Sequence, residues 1–360
     1  MGSLDAVLGE IRKKEFSVLG TALIGFDGYI DRVVRIKKDQ NVPAALFEST
    51  GDFAEYILKR RGKSVDLALL RQSEKIGGNG PIMAESLALK NIQTVCIGAM
   101  GYPKLNPVYH RLNNMCRLLS VEETAFTLAL EFNDAKLMLA EKESLDRVNW
   151  ERLCTIIGEE ELASLVIGTD LLAFTNWSGI AQSNDILSGI AALKRNNKGI
   201  LFLDLADPSC KSPEQFAELF SLIEKLSSSY NIIMGFNNNE LLIMYNHFFG
   251  AHKTVFDRNM VSELVDALPL DEIVIHGIDW AEAHSRDKHC VEVVGEKVAN
   301  PVILTGAGDN FNAGYCWGKL CSLDSEACLY LGNISATMYV ERGHPVGIQD
   351  IVSFIENRRK

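Results

Sequence analysis

The most informative stretch is Val302-Ile303-Leu304-Thr305-Gly306-Ala307-Gly308-Asp309-Asn310-Phe311-Asn312-Ala313-Gly314, which runs from an apolar segment through two glycines into a strongly helical segment. Glycine permits main-chain conformations that are closed to other residues and lets a ligand approach the backbone. The amides of Ala307, Gly308 and Asp309 would project from a helix N-terminus, which carries partial positive charge. The stretch therefore predicts an anion site that requires no basic side chain.

Asp309 stands at the mouth of this predicted anion site, where a carboxylate is unfavourable beside a phosphate unless it takes part in the chemistry. A carboxylate next to a transferring phosphoryl group can orient and deprotonate an attacking hydroxyl. The alternative is a plain helix cap, because aspartate is among the best capping residues and Gly-x-Gly turns are common. Taken alone, the stretch leaves both interpretations open.

Upstream of this stretch, apolar runs of strand length alternate with longer amphipathic segments, a pattern typical of a parallel sheet covered by helices. The predicted strands are Thr21–Ile24, Thr94–Ile97, Leu171–Thr175, Gly199–Asp204, Ile232–Gly235 and Glu272–His276. The predicted helices are Pro81–Lys90, Ser183–Asn196, Ser212–Ser227, Asn238–Phe248, Asn259–Leu268, Asp309–Cys321, Ser325–Tyr339 and Ile348–Asn357. The pattern predicts the α/β class and a single domain over residues 1–360.

Two regions, residues 32–76 and 101–149, interrupt this alternation. The second contains the alternating segments Thr127–Phe132 and Ala135–Leu139 on either side of Asn133-Asp134, which predicts a β-hairpin. We expect both regions to leave the main sheet and to form a small strand-rich lid over its carboxyl edge. The alternative is that they are ordinary surface loops.

The composition excludes several classes of protein. The formal charge is −11, so a general electrostatic attraction to nucleic acid or to anionic lipid is not expected. The eight cysteines are scattered without a CxxC pair, which favours reduced and mostly buried thiols over a zinc site or a disulfide scaffold. No run approaches the roughly 20 apolar residues of a membrane span, and the first 16 residues lack an apolar signal core. We therefore expect a cytoplasmic protein.

Two acidic residues follow the first predicted strand, in Ile24-Gly25-Phe26-Asp27-Gly28-Tyr29-Ile30-Asp31. Ligands of open α/β sheets bind just beyond the carboxyl ends of the strands. Carboxylates bind polyols there by accepting hydrogen bonds from neighbouring hydroxyls. Asp27 and Asp31 are therefore candidate substrate ligands. The alternatives are a turn residue for Asp27 and a solvated loop charge for Asp31.

Two further turns precede predicted helices. In Ile76-Gly77-Gly78-Asn79-Gly80-Pro81, amides and the Asn79 side chain could bind hydroxyls of a neutral substrate, although a tight turn with proline in the first helical turn is the alternative. In Asn237-Asn238-Asn239-Glu240, Glu240 could order water around a magnesium ion while Asn237 contacts phosphate. The same spacing is that of a capping box.

The ordered set of Asp31, Gly77-Gly78, Asn237 to Glu240 and Gly306 to Asp309 resembles the ribokinase-like, or PfkB-type, carbohydrate kinases over nearly the whole chain. The resemblance implies a doubly wound, mainly parallel sheet flanked by helices, with a small β-rich lid that often forms a homodimer interface. It implies Asp309 as catalytic base, Gly306, Ala307 and Gly308 as anion hole, and a nucleotide site with Mg2+. The residues implied to bind substrate are Asp31, Asp27, Gly77, Gly78 and Asn79, and those implied to bind nucleotide are Asn237, Gly277 and Asn333, with Glu240 reaching the metal through water.

This chain departs from the family pattern at several positions. Ile303-Leu304 replaces the usual Asp-Thr, which argues against a monovalent-cation site that uses that aspartate. Ile82 replaces a frequent asparagine, the GxVGxD segment lacks its aspartate at Tyr102, and Asp204 to Pro208 matches its family segment only loosely. The glycine turn with Ile82-Met83-Ala84 is similar to that of ADP-dependent sugar kinases. ATP is the expected donor, with ADP as the alternative.

The leading hypothesis is a magnesium-dependent kinase of a sugar or sugar-like polyol, with no nucleic-acid or membrane partner. One alternative is a nucleoside kinase of the same family. Another is a non-catalytic ligand-sensing protein, which the presence of Asp309 and of its glycines disfavours. A dinucleotide-dependent oxidoreductase is disfavoured because no GxGxxG follows an early strand.

Overall fold

The computed structural model describes residues 8–9, 11–12, 19–38 and 45–358, so parts of the 1–360 domain and of the 32–76 region lie outside the described residues. The strands are β1 Thr21–Gly25, β2 Tyr29–Ile36, β3 Leu69–Gly77, β4 Gln93–Gly98, β5 Arg117–Ser120, β6 Ala125–Glu131, β7 Lys136–Glu141, β8 Leu171–Phe174, β9 Gly199–Asp204, β10 Tyr230–Phe236, β11 Glu272–His276, β12 Trp280–Ser285 and β13 Cys290–Val294. The helices discussed below are α1 Thr50–Leu58, α2 Asn79–Ala88, α3 His110–Asn113, α4 Trp150–Ile157, α5 Glu159–Gly168, α6 Ser183–Ala192, α7 Pro213–Leu226, α8 Asn238–Phe249, α9 Asn259–Ala267, α10 Ala307–Leu320, α11 Ser325–Arg342 and α12 Ile348–Asn357.

The main sheet has the strand order β13-β12-β11-β10-β9-β8-β1-β4-β5 within the described residues. The seven strands β11, β10, β9, β8, β1, β4 and β5 run parallel to one another. Strands β12 and β13 continue this sheet as an antiparallel edge. Alternate residues of the central strands enter two separate cores: Leu23 packs with α4 to α9, and Ala22 and Ile24 pack with α2, α3 and α10 to α12. Helices thus cover both faces, as parallel strands require. The predicted doubly wound α/β fold is confirmed.

The six predicted strands of the main sheet are present, each within about two residues of its expected bounds. The β12–β13 edge hairpin and helices α1, α4 and α5 were not predicted. The helix after the two glycines begins at Ala307, two residues before its predicted start. Described residues include no helix long and apolar enough to cross a membrane. Five of the eight cysteines are buried, in agreement with mostly buried thiols.

A second sheet with the order β3-β2-β6-β7 lies outside the main sheet. It contains the predicted hairpin, because Leu130 pairs with Leu137 across the Asn133-Asp134 turn. Its outer face packs on α1 through a small core that includes Val34, Phe47 and Leu130. The two irregular regions thus do supply a separate sheet. However, β5 pairs with β4 in the main sheet, so residues 101–149 are divided between the two sheets. The four residues of β5 are too few and too weakly apolar to be recognised from the sequence.

Candidate active site

The candidate site lies at the carboxyl ends of the parallel strands. Asp27 follows β1, Asp204 ends β9, Asn237 follows β10 and His276 ends β11. Turns after adjacent parallel strands emerge at one edge of the sheet, which is where open α/β folds bind ligands. The fold therefore brings to one edge residues that are up to 249 positions apart in the chain, from Asp27 to His276.

Two adjoining cavities occupy this edge. The smaller, of about 310 Å³, is lined by Asp31, Gly78, Asn79, Asp204, Glu240 and Asp309 together with Gly306. The larger, of about 680 Å³, is lined by Gly277, Ala307 and Asn333, among others. Asn237, His276 and Gly308 line both cavities. Two predicted substrate ligands, Asp27 and Gly77, are not on either lining.

The N-terminus of α10 separates the two cavities. Gly306 is the N-cap, with a φ of 94°, and a Cβ at this position would lie 2.8 Å from the Tyr339 hydroxyl, which donates to the Thr305 carbonyl. The Ala307 amide donates to the Leu304 carbonyl at 3.2 Å. For the amides of Gly308 and Asp309, the described part of the chain offers no acceptor. The unpaired donors of the predicted anion hole are therefore these two amides, and that of Ala307 is already engaged.

Asp309 is the third residue of α10 and is buried at the boundary with the smaller cavity. Its Oδ1 has no hydrogen-bond partner within the described residues, and the Asn79 side chain lies beside the carboxylate. Burial raises the pKa of Asp309 well above its ordinary value, and the nearby carboxylates of Asp204 and Asp27 raise it further. A buried carboxyl with a vacant oxygen at a cavity wall can accept a proton from a bound hydroxyl.

Asp27 is completely buried beneath the glycine turn that precedes α2. Its Oδ1 accepts a hydrogen bond from the Gly80 amide at 2.8 Å, and its Oδ2 accepts from the Asn79 amide at 2.9 Å and from Asn176 Nδ2 at 2.8 Å. Burial raises the pKa of Asp27 in spite of these bonds. In this arrangement Asp27 fixes the turn that presents Asn79. The sequence interpreted Asp27 as a substrate ligand or as a residue of the turn before Gly28, whereas its observed contacts are with the start of α2 and with Asn176.

Asp31 lies on β2, where it pairs with Lys75 of β3 and with Thr127 of β6. The three side chains share one face of the second sheet, because paired residues project to the same side. Burial raises the pKa of Asp31, and this effect is opposed by the charge of Lys75 and by a hydrogen bond from Thr127. The Asp31 carboxylate packs directly over Gly77, where a Cβ would lie only 2.5 Å from Oδ1. Gly77 therefore gives Asp31 its position.

Asn237 and Glu240 form the capping box of α8. Asn237 Oδ1 accepts from the Glu240 amide at 3.0 Å, and Glu240 Oε2 accepts from the Asn237 amide at 2.9 Å. The Asn237 side chain also donates to Glu240 Oε1 at 2.7 Å. The capping box, which the sequence offered as the alternative interpretation of this motif, is thus present. Both residues nevertheless line the cavity, so a cap and a ligand contact are compatible here.

Glu240, which is half-buried, and the buried Asp204 and Asp309 form an acidic cluster on the lining of the smaller cavity. Burial and the charge of Asp204 raise the pKa of Glu240, and burial is also the main cause of the raised pKa of Asp204. Asp204 is held by Asn312 Nδ2 at 2.8 Å and by the Ala206 amide at 2.7 Å. No three acidic, His or Cys side chains of the described residues are arranged to ligate a metal directly. The cluster fits a cation bound through water and phosphate, because its carboxylates repel one another and Asp309 Oδ1 has no partner in the described part of the chain.

This cluster makes the stability of the ligand-free protein depend on pH. A carboxyl whose pKa is raised by folding stabilises the protein fully below its unfolded pKa, about 4.5 for Glu240, and this stability is lost as pH rises through the folded value. We expect the Tm to fall between pH 5 and 8 without Mg2+, and Glu240→Gln to reduce the fall. Exposed Glu151→Gln is the control; equal slopes for wild type and Glu240→Gln would contradict the assignment.

The larger cavity has a mixed lining, in which apolar residues such as Trp280 and Phe311 alternate with polar ones such as Asn333. The Trp280 indole packs against Gly277, and the Gly277 amide donates to the Trp280 carbonyl at 2.8 Å. Asn333 projects from α11, and its Nδ2 is buried without a partner among the described residues. A planar ligand with a hydrogen-bond acceptor would complete this arrangement, as a nucleotide base does.

Sequence reasoning missed His276, Asn176 and Asn312 as parts of the site. His276 was only the end of a predicted strand, and Asn312 was an unassigned residue in the helix after the two glycines. Asp204 was noted only as a loose family match. The position of Asp204 and His276 at the carboxyl ends of predicted parallel strands was a usable signal. Asn176 lies two residues after the end of β8, so the same signal applied to it.

Comparison with known proteins identifies the family. Residues 13–358 match the model of the prokaryotic ketohexokinase family. The chain belongs to this family. A ketohexokinase of Haloferax volcanii is 26% identical over 349 residues, which cover 93% of this chain and 90% of the relative. Family membership makes this chain a carbohydrate kinase, and the predicted resemblance to PfkB-type kinases is confirmed.

Solved structures confirm the ribokinase-like fold. A putative ribokinase II from E. coli has a TM-score of 0.70 at 14% identity and covers 94% of this chain and 99% of its own. Ribokinase of Arabidopsis thaliana, solved with ribose and ATP, has a TM-score of 0.65 at 15% identity, with coverages of 94% and 98%. Adenosine kinase from Sinorhizobium meliloti has a TM-score of 0.68 at 16% identity, with coverages of 94% and 99%. At these identities the likeness extends to the fold.

Proposed function

We propose that this member of the ketohexokinase family transfers the terminal phosphoryl group of ATP to a hydroxyl of a ketohexose. The observation that carries the proposal is the position of Asp309, whose unpartnered Oδ1 is buried at the N-terminus of α10 between a small acidic cavity and a larger, more apolar one. The sugar binds in the small cavity and the nucleotide in the large one. Asp309 takes the proton of the attacking hydroxyl, and the Gly308 and Asp309 amides stabilise the phosphoryl oxygens.

The chemistry of the small cavity favours an uncharged sugar. Its acidic lining includes Asp31, Asp204 and Glu240, and no lysine or arginine is among its described lining residues. Such a lining would repel the phosphate of an already phosphorylated sugar, whereas carboxylate and amide oxygens accept hydrogen bonds from hydroxyls. Asp31 and Asn79 are the proposed sugar ligands, with Gly77, Gly78 and Asp27 shaping the turn that holds them. This argument supports an uncharged sugar, such as a ketohexose, over a sugar phosphate.

Mg2+ is proposed as the metal, held by the nucleotide phosphates and through water by Glu240. Bound there, it would neutralise charge on the phosphoryl group. The chain's own residues position the acidic groups: the Asn79 side chain lies beside Asp309, and Asn312 and the Ala206 amide hold Asp204. Asn237, Gly277 and Asn333 are the proposed nucleotide contacts in the large cavity, with ADP as the alternative donor.

The function is tested by an activity screen of the purified chain with Mg2+ and either ATP or ADP. The acceptors are ketohexoses, aldohexoses, pentoses, a ketohexose phosphate and nucleosides. We expect the largest kcat/KM with a free ketohexose and ATP. A preference for nucleosides would support the alternative of a nucleoside kinase, and no turnover with any acceptor would support a ligand-sensing protein.

We propose that the second sheet acts as a lid and as a homodimer interface. Leu137, Met138 and Leu139 on β7 and Leu69 and Leu70 on β3 are exposed apolar residues on its two outer strands. Exposed apolar clusters of this kind mark interaction surfaces. Sedimentation at micromolar concentration is expected to show a dimer, which the double variant Leu137→Lys with Leu139→Lys disrupts. A monomeric wild type would contradict this proposal.

The cytoplasmic location stays a prediction.

A further inference from the structure

The imidazole of His276 lies where the two cavities meet. His276 ends β11, and it lines the acidic cavity and the larger cavity together with Asn237 and Gly308. A group transferred from a nucleotide in one cavity to a sugar in the other must pass this junction. The position of His276 is therefore set by the topology of the sheet, because the ends of parallel strands face the ligand.

The orientation of the His276 ring is fixed by its neighbours. One edge faces α10: a Cβ placed on Gly308 would lie 3.4 Å from Cε1 and 3.6 Å from Nε2 of the ring. On another side the ring contacts Phe311, with centroids 4.8 Å apart and planes inclined by 40°. Nε2 is thus held beside the residue whose amide is one of the two unpaired donors of the anion hole.

Neither ring nitrogen of His276 has a hydrogen-bond partner in the described part of the chain, and its observed contact is the one with Phe311. Burial lowers the pKa of His276 to about 4, so the ring is neutral at physiological pH. A neutral imidazole offers one N–H donor and one acceptor. A polar ring that is fixed and exposed to both cavities is available for a ligand.

A phosphoryl group bound at this junction requires hydrogen-bond donors of this kind. Among the described residues, no lysine or arginine lines either cavity, although phosphoryl transfer sites commonly use one to stabilise the transferred group. The amides of Gly308 and Asp309 provide two donors for the three oxygens of that group. His276 Nε2 is on the same side of the junction and can supply a third donor.

We propose that His276 is a catalytic residue whose Nε2–H donates a hydrogen bond to the phosphoryl group in transfer. The inference rests on the proposed function and adds a residue to it. The ring does not move a proton in this role: Asp309 receives the proton of the sugar hydroxyl, and His276 stabilises charge on the phosphoryl oxygens. This contact is made to the terminal phosphoryl group of ATP and is absent when ADP is bound.

The test compares His276→Phe, which keeps an aromatic ring against Phe311 but lacks the donor, with His276→Gln, whose Nε2 can replace the donor. We expect His276→Phe to lower kcat by about 100-fold, as loss of one such donor commonly does, with a smaller change in KM for the sugar. Calorimetry should show weaker binding of the ATP analogue AMP-PNP with Mg2+ and unchanged binding of ADP. His276→Gln should recover most of both losses.

Unchanged kcat in His276→Phe, or equal weakening of AMP-PNP and ADP, would overturn the assignment. If His276→Phe does not fold, His276→Gln and His276→Ala provide the same comparison of a variant with the donor and one without it. Failure of the proposed function is distinguishable, because it appears as lack of ketohexose turnover by the wild-type chain. The comparison of AMP-PNP with ADP measures the contribution of His276 to nucleotide affinity, and this measurement does not depend on which acceptor the enzyme uses.

Discussion

Replacing Asp309 by asparagine is expected to lower kcat by about 10²–10⁴-fold, the usual contribution of a positioned general base. The amide has nearly the same shape as the carboxylate but cannot accept the proton of the sugar hydroxyl. Nucleotide affinity should be retained, since the amides of Gly308 and residue 309 are unchanged. Steady-state kinetics with a ketohexose and titration with a nucleotide measure the two effects separately.

The stability of this variant provides a second readout. Burial and neighbouring carboxylates raise the pKa of Asp309, so ionising it costs folding free energy at neutral pH. Asp309→Asn should therefore unfold at the same or a higher temperature than wild type. Asp287→Asn, in the exposed turn between β12 and β13, is the matched control for loss of one carboxylate. Turnover within a few fold of wild type in Asp309→Asn would remove this residue from its proposed role.

Replacing Asp27 by alanine is expected to lower the free energy of unfolding by about 3 kcal/mol or more. Three buried donors, the amides of Asn79 and Gly80 and the Asn176 side chain, would lose their acceptor, and each unsatisfied buried group costs about 1–3 kcal/mol. The glycine turn would lose its support, so kcat should fall as well. Urea unfolding measured with and without sugar checks the effect on stability.

Asp324→Ala is the control for this prediction. The Asp324 carboxylate accepts one hydrogen bond, from the Ala327 amide at 2.8 Å, as the N-cap of α11. Loss of such a cap costs about 1 kcal/mol. If Asp27 instead bound the sugar directly, Asp27→Ala would leave the stability without sugar unchanged and would raise the KM for the sugar. That result would favour the original hypothesis that Asp27 binds substrate.

The main sheet was predictable because its strands are buried on both faces. Segments such as Gly199–Asp204 and Glu272–His276 are then continuous apolar runs that stand out from the amphipathic helices between them. The β12–β13 hairpin was not predictable, because edge strands such as Trp280–Ser285 contain polar and charged residues that give no continuous run. The second sheet was predicted in part, because the alternation of apolar and polar residues was clear in the hairpin and interrupted elsewhere.

The candidate site was predictable where local backbone chemistry specifies it. Gly306 to Asp309 could be recognised because glycines before a helix create an anion site whatever lies around them. The environment of each carboxylate was not predictable. Asp27 and Asp31 are four positions apart, yet one is enclosed by backbone amides of α2 and the other faces a cavity. Burial of this kind depends on elements distant in sequence.

The parallel α/β fold and the glycine-rich helix N-terminus could be predicted from the chain, because periodicity and helix-end chemistry are local properties. Asp309 as the candidate base followed from the resemblance to PfkB-type kinases. The three-dimensional arrangement was needed to show which donors remain unpaired among the described residues, that Asp27 supports the start of α2, and that Asp204 raises the pKa of both Glu240 and Asp309. It also decided that His276 lies at the junction of the two cavities. These properties arise from distances between separate strands and helices, which no local pattern contains.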